Sequence, residues 1–249
     1  MLNTVAPADR ARLSPLFDGF PGLHGLIDSV LEGVLGNAWS DDPLQPRIAR
    51  LELNFQLLAG DPNSAPAADT IAAIPSGEHL AVPESWADLV MDARETLQTY
   101  ERFDCPPPKR WDRGHLTLFQ ELPDDLVIER ITAKTVPAFA RLADSLVYNF
   151  DSHEHFLERG VGFGIRHQDR FVAGCSSFAM SSRSLEFEVQ THPDYQRRGL
   201  ALATCARMIE HCLEHGLVPC WDAAHDGSAR LAERLGFEER RPYTAYRLQ

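Results

Sequence analysis

LEFEVQTHPDYQRRGLALA, residues 185–203, is the stretch whose reading decides the fold. Leu185 to Thr191 reads as a strand, stopped at Pro193, whose missing N–H cannot continue a ladder. A tight loop then opens a helix at Gln196-Arg197-Arg198-Gly199-Leu200-Ala201. Gly199 lets the backbone turn closely, so that successive N–H groups converge on one spot. A helix start of this kind carries roughly half a positive elementary charge together with unsatisfied donors, which suits a pyrophosphate. Arg197 and Arg198 add positive charge beside it. Taken alone, the string fits equally well a helix start that contains a glycine.

Outward from this stretch the pattern is regular. After LPDD (122–125), LVIERIT (126–132) reads as a strand and VPAFARLADSLVYNF (136–150) as one helix entered through Pro137. Two strands follow around the His167-Gln168-Asp169 turn. Beyond the deciding stretch, a helix closes at Gly216, LVPCWDAA (217–224) is a buried strand, SARLAERLGF (228–237) a helix, and YTAYRLQ (243–249) a last strand. The order is β-α-β-β-β-α-β-α-β, one α/β domain over residues 123–249. Upstream, FDGFPGLHGLIDSVLEGVL (17–35) is helix-like and ARLELNFQLLAG (49–60) is a strand-like run. ESWADLVMDARETLQTYER (84–102) has the apolar stripe of an amphipathic helix. No repeat is visible, and no cluster there suggests chemistry. Residues 1–122 are expected to form a smaller α+β companion domain.

The chain has 249 residues and a formal net charge of −12, which argues against a nucleic acid or an anionic membrane as partner. Its 44% apolar content is that of a globular protein with a core. No apolar run approaches the ~20 residues of a membrane helix. Asp9, Arg10 and Arg12 interrupt the place of a signal peptide. The five cysteines form no C-x-x-C pair, and Cys205 and Cys212 fall on one helix face as buried thiols. A cytoplasmic location is expected. His211 and His215 have i, i+4 spacing but are read as solvated residues complementing the helix C-terminus. His153-Glu154-His155 is read as a helix start, so no metal site is expected. The serine pairs 176–177 and 181–182 lack a nucleophile-elbow setting.

The strand order, the motif Thr191-His192-Pro193-Asp194-Tyr195-Gln196-Arg197-Arg198-Gly199-Leu200-Ala201 and the helix from Ser228 to Phe237 resemble the GNAT superfamily of N-acetyltransferases. The chain is closer still to the GNAT acetyltransferase family that includes the zwittermicin-A-resistance acetyltransferase. FLERGVGFGI (156–165), THPDYQRRGLA (191–201), CLEHGLVPCWDAAHDGSARLAERLGF (212–237) and YTAY (243–246) carry that likeness. GNAWSDDPLQPRIARLELNFQLLAGDP (36–62) extends it more loosely into the first half, which leaves open whether that half is a degenerate copy of the same fold. The implied fold is α/β (α+β), a mixed sheet with flanking helices.

The resemblance implies acetyl-CoA as donor and a small-molecule amine as acceptor, with no metal. Backbone groups of Val189, Gln190 and Thr191 pair with the pantetheine arm as an added strand does. Backbone N–H groups of Arg197, Arg198, Gly199, Leu200, Ala201 and Leu202 hold the pyrophosphate. His225 stands where the superfamily commonly has an Asn that touches CoA, with Ser228 three residues on. Removing a proton from an amine of pKa near 10.4 at pH 7 takes about 4.6 kcal/mol, so a base is needed. Glu186 and Glu188 stand on the strand that supplies it; Glu186 is favoured, against a reading of both as solvated carboxylates. Asp222 either orients the amine or caps the Ala223–His225 turn. Ala232 replaces the usual general-acid Tyr; Tyr243 or Tyr246 is a substitute, or else each is an aromatic of the last strand. The acceptor pocket is placed around Tyr148, Phe150, His153 and Phe156 (about 145–160), alone or together with the N-terminal domain. The alternative to an enzyme is an acyl-CoA-binding sensor or interaction protein with weak turnover. Monomer and homodimer both stay open.

Overall fold

Asn54, in the left-handed region at φ 55°, turns the run at 49–60 back on itself, so it is a hairpin rather than one strand. In the computed structural model, which describes residues 2–249, the first half runs as follows. β1 (Asn3–Thr4) leads through a 3-10 stretch (Pro7–Phe17) to α1 (His24–Leu31), β2 (Asn37–Ser40), β3 (Ile48–Glu52) and β4 (Gln56–Gly60). Then come α2 (Ala67–Ala72), β5 (His79–Ala81), a 3-10 turn (Glu84–Trp86), α3 (Ala87–Ala93), β6 (Leu97–Cys105) and α4 (Arg113–Leu118). The second half holds β7 (Leu126–Arg130), α5 (Val136–Ala140), α6 (His153–Arg159), β8 (Gly162–His167) and β9 (Arg170–Met180). It closes with β10 (Ser184–Thr191), α7 (Leu200–His215), β11 (Val218–Ala223), α8 (Asp226–Leu235) and β12 (Arg241–Leu248).

All strands join one mixed sheet in the order β1-β2-β3-β4-β5-β12-β6-β11-β10-β9-β8-β7. The fold class is as expected, but two further elements differ from the sequence reading. The helix expected over 84–102 ends at Ala93, because Arg94 is extended and the chain beyond it pairs on both sides. Tertiary pairing overrides a helical stripe here: Leu97–Cys105 is a strand in the middle of the sheet. The helix expected over 136–150 is cut short at Ala140, followed by a single 3-10 turn, Asp144–Leu146.

The strand order contains a repeat that the residues hide. Each half lays down four antiparallel strands and then a parallel one: β1 to β4 then β5, and β7 to β10 then β11. The next strand in each case comes from the other half. β6 lies beside β11 and β12 lies beside β5, and the two pair antiparallel along their whole length at the centre. The expected companion domain therefore has no sheet of its own. α1 crosses over as well, packing against β9 and β10 of the second half.

The two wedges where parallel strands part are treated differently. In the first half the pairing of β4 with β5 ends at Leu57↔Ala81. Trp86, fully buried on the turn after β5, reaches back and donates from Nε1 to the Gly60 carbonyl at 3.0 Å. Leu58, Ile71, Ile74 and Leu80 pack into the same cluster. That wedge is filled by the chain itself. Trp86→Phe, which loses the hydrogen bond and the pyrrole part of the ring, is expected to cost about 2–3 kcal/mol of stability. Trp86→Ala is expected to cost about 3–5 kcal/mol through the cavity it leaves. Denaturant unfolding of both variants measures the difference.

Candidate functional site

β10 carries an irregularity between Glu186 and Phe187, where its partner on β9 jumps from Ala179 to Ser177. Its parallel pairing with β11 stops at the same place, at Glu186↔Cys220. From there β11 turns to β6, with Trp221 opposite Cys105 and Asp222 opposite Asp104. The strands part, and the Phe187–Thr191 edge of β10 faces an open wedge. A cavity of about 340 Å³ occupies the wedge, bordered by Glu186, Glu188, Gln190, Trp221 and Asp222, and by Leu23, Phe55 and Arg102 of the first half.

Glu186 sits at the apex, 3% exposed. Its Oε2 accepts from the Gly25 N–H at 3.0 Å and its Oε1 from the Asp222 N–H at 2.8 Å. Burial, then the neighbouring Asp222 charge, push its carboxyl up to about 7. The close approach of α1 depends on glycine. A Cβ on Gly25 would lie 2.7 Å from the Glu186 nitrogen, and one on Gly22 would lie 2.4 Å from Asp222 Oδ2. Between them Leu23 holds a left-handed φ of 56°.

Asp222 is buried and held from two sides. Arg102 Nε donates to Oδ1 at 2.6 Å, and the Tyr243 hydroxyl donates to Oδ2 at 2.6 Å. Burial raises its pKa even so, with Arg102 opposing. Arg102 in turn stacks 4.8 Å from the Phe55 ring centroid. Burial lifts the Tyr243 hydroxyl well above its ordinary range and keeps it a donor. Asp222 therefore holds Arg102 and Tyr243 rather than capping the turn that follows it. Glu188 borders the same cavity and accepts from Gln190 Nε2 at 2.8 Å.

At the other end of the wedge the loop before α7 forms a cradle. Arg197 (φ 62°) and Gly199 (φ 81°) are both left-handed, and space around Gly199 is open. Such alternation turns consecutive N–H groups toward one point. Leu200 and Leu202 bury their side chains, leaving only backbone to face the loop. Tyr195 anchors it: its hydroxyl meets His167 Nδ1 at 2.6 Å, and Arg198 lies 4.8 Å over its ring. A hollow of about 450 Å³ here is bordered by Thr191, Arg197, Gly199, Ala201, Arg230 and Arg234, among others. His225 caps α8, its Nδ1 accepting from the Ser228 N–H at 3.1 Å. Ser228 Oγ accepts from Trp221 Nε1 at 3.1 Å.

The site thus gathers Glu186, Glu188, Asp222 and Tyr243 with the loop residues, and it leaves others outside. Tyr246 is buried in the first-half core, and Ala232 is buried without any hydroxyl nearby on its own side chain. Phe150 and Phe156 fill the core, so of the residues placed at the acceptor pocket only Tyr148 borders the cavity. His211 is buried rather than solvated, and burial beside His215 lowers its pKa to about 4. Glu214 joins these two histidines within 4.8 Å, the third group that the spacing alone did not suggest, and Arg207 lies 3.4 Å from it. Sequence reasoning missed Gly22, Leu23, Gly25 and Arg102, which reach the site from the first half, and Arg230 and Arg234 on α8. The glycine spacing in Pro21-Gly22-Leu23-His24-Gly25 was the available signal.

Comparison with known proteins agrees with this geometry. A GCN5-related N-acetyltransferase-like protein of Streptococcus suis superposes with a TM-score of 0.82 at 30% identity, covering 98% of this chain and 100% of that one. A tandem GNAT protein from the clavulanic acid biosynthesis pathway shares the fold, with a TM-score of 0.63 at 11% identity over 99% of this chain and 97% of its own. An uncharacterized N-acetyltransferase of Bacillus subtilis, YdfB, is 32% identical over 130 residues, 51% of this chain. The match spans about half, 49%, of that relative's length. A family model for GNAT acetyltransferases matches residues 14–246, and the chain belongs to that family.

Proposed function

We propose that the protein is an acetyl-CoA-dependent N-acetyltransferase that acts by direct transfer to a primary amine of a small molecule. The observation that carries this reading is Glu186, a buried carboxylate raised to about 7 at the point where β10 and β11 part. A base poised near the working pH is what deprotonation of an alkylammonium requires. The donor fits the residues present. The free edge at Val189, Gln190 and Thr191 matches an extended amide-bearing arm, and the left-handed cradle at Arg197–Gly199 matches a pyrophosphate. Arg230 and Arg234 supply further positive charge at that end. Acetyl-CoA brings the activated acyl group; the rest falls to the chain.

In this reading residues 123–249 hold the donor, and residues 1–122 supply the floor and one wall of the acceptor cavity through Leu23, Phe55 and Arg102. Glu186 takes the amine proton. Asp222 directs its backbone N–H at Glu186 while its side chain fixes Arg102, and Tyr243 positions Asp222. Glu188 and Tyr148 border the acceptor end and favour a cationic amine. No helix among the described residues is long and apolar enough to cross a membrane, consistent with a small-molecule acceptor met in water.

Incubation with acetyl-CoA and a panel of amines is expected to release free thiol in an amine-dependent way. Tight acetyl-CoA binding with no thiol from any acceptor would overturn the enzyme reading in favour of a sensor. Glu186→Gln is expected to lower kcat about 10²–10⁴-fold with acetyl-CoA affinity unchanged; full activity would remove the assignment. The base must be ionised, so kcat/KM is expected to fall with unit slope as pH drops below about 7. Gly199→Val, forced to adopt a φ of 81°, is expected to raise the KM for acetyl-CoA more than it lowers kcat, as measured by initial rates.

A further inference from the structure

Glu186 borders two cavities, not one. Besides the wedge, it forms part of the wall of a small chamber of about 20 Å³ on its other side, shared with Leu23, His24, Asp104, Cys105 and Trp221. That volume suits a single water molecule. At the chamber's outer end His24 is 47% exposed, and its Nε2 lies 3.5 Å from Oδ1 of Asp104, which is itself nearly buried. His24 is also the residue before Gly25, whose N–H holds Glu186.

We infer that His24 and Asp104 form a proton exit for Glu186, separate from the mouth through which donor and acceptor enter. This rests on the acetyltransferase reading. In one turnover a bound R–NH3⁺ gives one proton to Glu186. The C–N bond forms as the C–S bond breaks, a second amine proton leaves with the thiol, and Glu186 is left protonated. One proton per turnover must therefore leave a carboxyl that is 3% exposed, and the wedge offers it a way out only when substrates and products do not fill it. The chamber gives a route: from Glu186 across one water to the Asp104–His24 pair, and from the imidazole to bulk water.

The surrounding charges suit this transfer. Asp104, Glu186 and Asp222 all act on His24 and favour its charged form, and Arg102 holds Asp222 from the far side. Tyr243, Cys105 and Cys220 also face this group of carboxylates, and burial keeps each of them protonated by raising its pKa. The contact with Asp104 raises the His24 pKa, with burial opposing. The charge on each group bears on the other, Glu186 favouring the charged imidazole and His24 the charged carboxylate.

The test uses the full chain with His24→Gln and Asp104→Asn. In steady-state turnover His24→Gln is expected to lower kcat about tenfold while the KM of the acceptor stays the same. Added imidazole is expected to restore the rate, and the solvent isotope effect on kcat to increase. A purely structural role moves neither rescue nor isotope effect. A second measurement does not need turnover. After a pH jump, the infrared band of the protonated Glu186 carboxyl, identified by its loss in Glu186→Gln, is expected to form more slowly in both variants than in the wild type. Wild-type kcat without buffer rescue, or equal protonation rates in the infrared experiment, would overturn the exit. Absence of thiol release from the wild type would instead count against the acetyltransferase reading, and the infrared rates would still decide the route.

Discussion

One carboxylate holds three segments together. Glu186 accepts the N–H of Gly25 from α1 and that of Asp222 from β11, while its own backbone belongs to β10. Both oxygens are engaged, so the apex of the wedge is defined by hydrogen bonds rather than by packing alone. A buried anion in such a place is costly unless donors surround it. Here two backbone N–H groups, one at a helix start, meet that need. Burial and the neighbouring Asp222 charge raise its pKa against these two donors, which favour the charged form. The shape of the site and its chemistry have a single origin.

The second consequence is that the first half belongs to the site. Arg102 crosses from β6 to Asp222, Phe55 stacks on Arg102, and the glycines of the 22–25 segment let α1 approach the strands. Removing one partner of a buried ion pair such as Arg102–Asp222 leaves an uncompensated charge, which ordinarily costs about 3–5 kcal/mol. The halves are therefore joined by electrostatics at the site as well as by the sheet. Only one of the two equivalent wedges is open, since Trp86 occupies the other with a hydrogen bond to Gly60.

Much of this was legible in the residues of the second half. The strand that stops at Pro193, the Gly199 turn and the α7 stripe are local signals, and each element lies where its pattern put it. Glu186 and Glu188 were legible as candidates because both stand on that strand, while the irregularity at Glu186/Phe187, which breaks simple alternation between them, was not. What stayed hidden is non-local. Leu97–Cys105 carries a helical stripe of apolar residues, yet strand pairing on both edges decides its conformation. Arg102 and Asp104 gain meaning only once β6 lies beside β11, a relation separated by more than a hundred residues. The repeat was hidden because strand order repeats while the chemistry-bearing residues do not.

The exchange of β6 and β12 has a consequence for how the molecule is made. β5 has one neighbour, β4, until β12 arrives to cover its other edge, and β12 is formed by residues Arg241–Leu248. During synthesis from the N-terminus, β6 likewise has no partner until β11 and β12 have emerged. Until those strands emerge, the first half carries the open edges of β5 and β6, the kind of surface that recruits wrong partners. Its sheet closes only once β11 and β12 have formed, through pairings of long sequence separation that form slowly. Completion of the cavity wall, through Arg102 and Asp222, thus waits for a pairing of long sequence separation, that of β6 with β11.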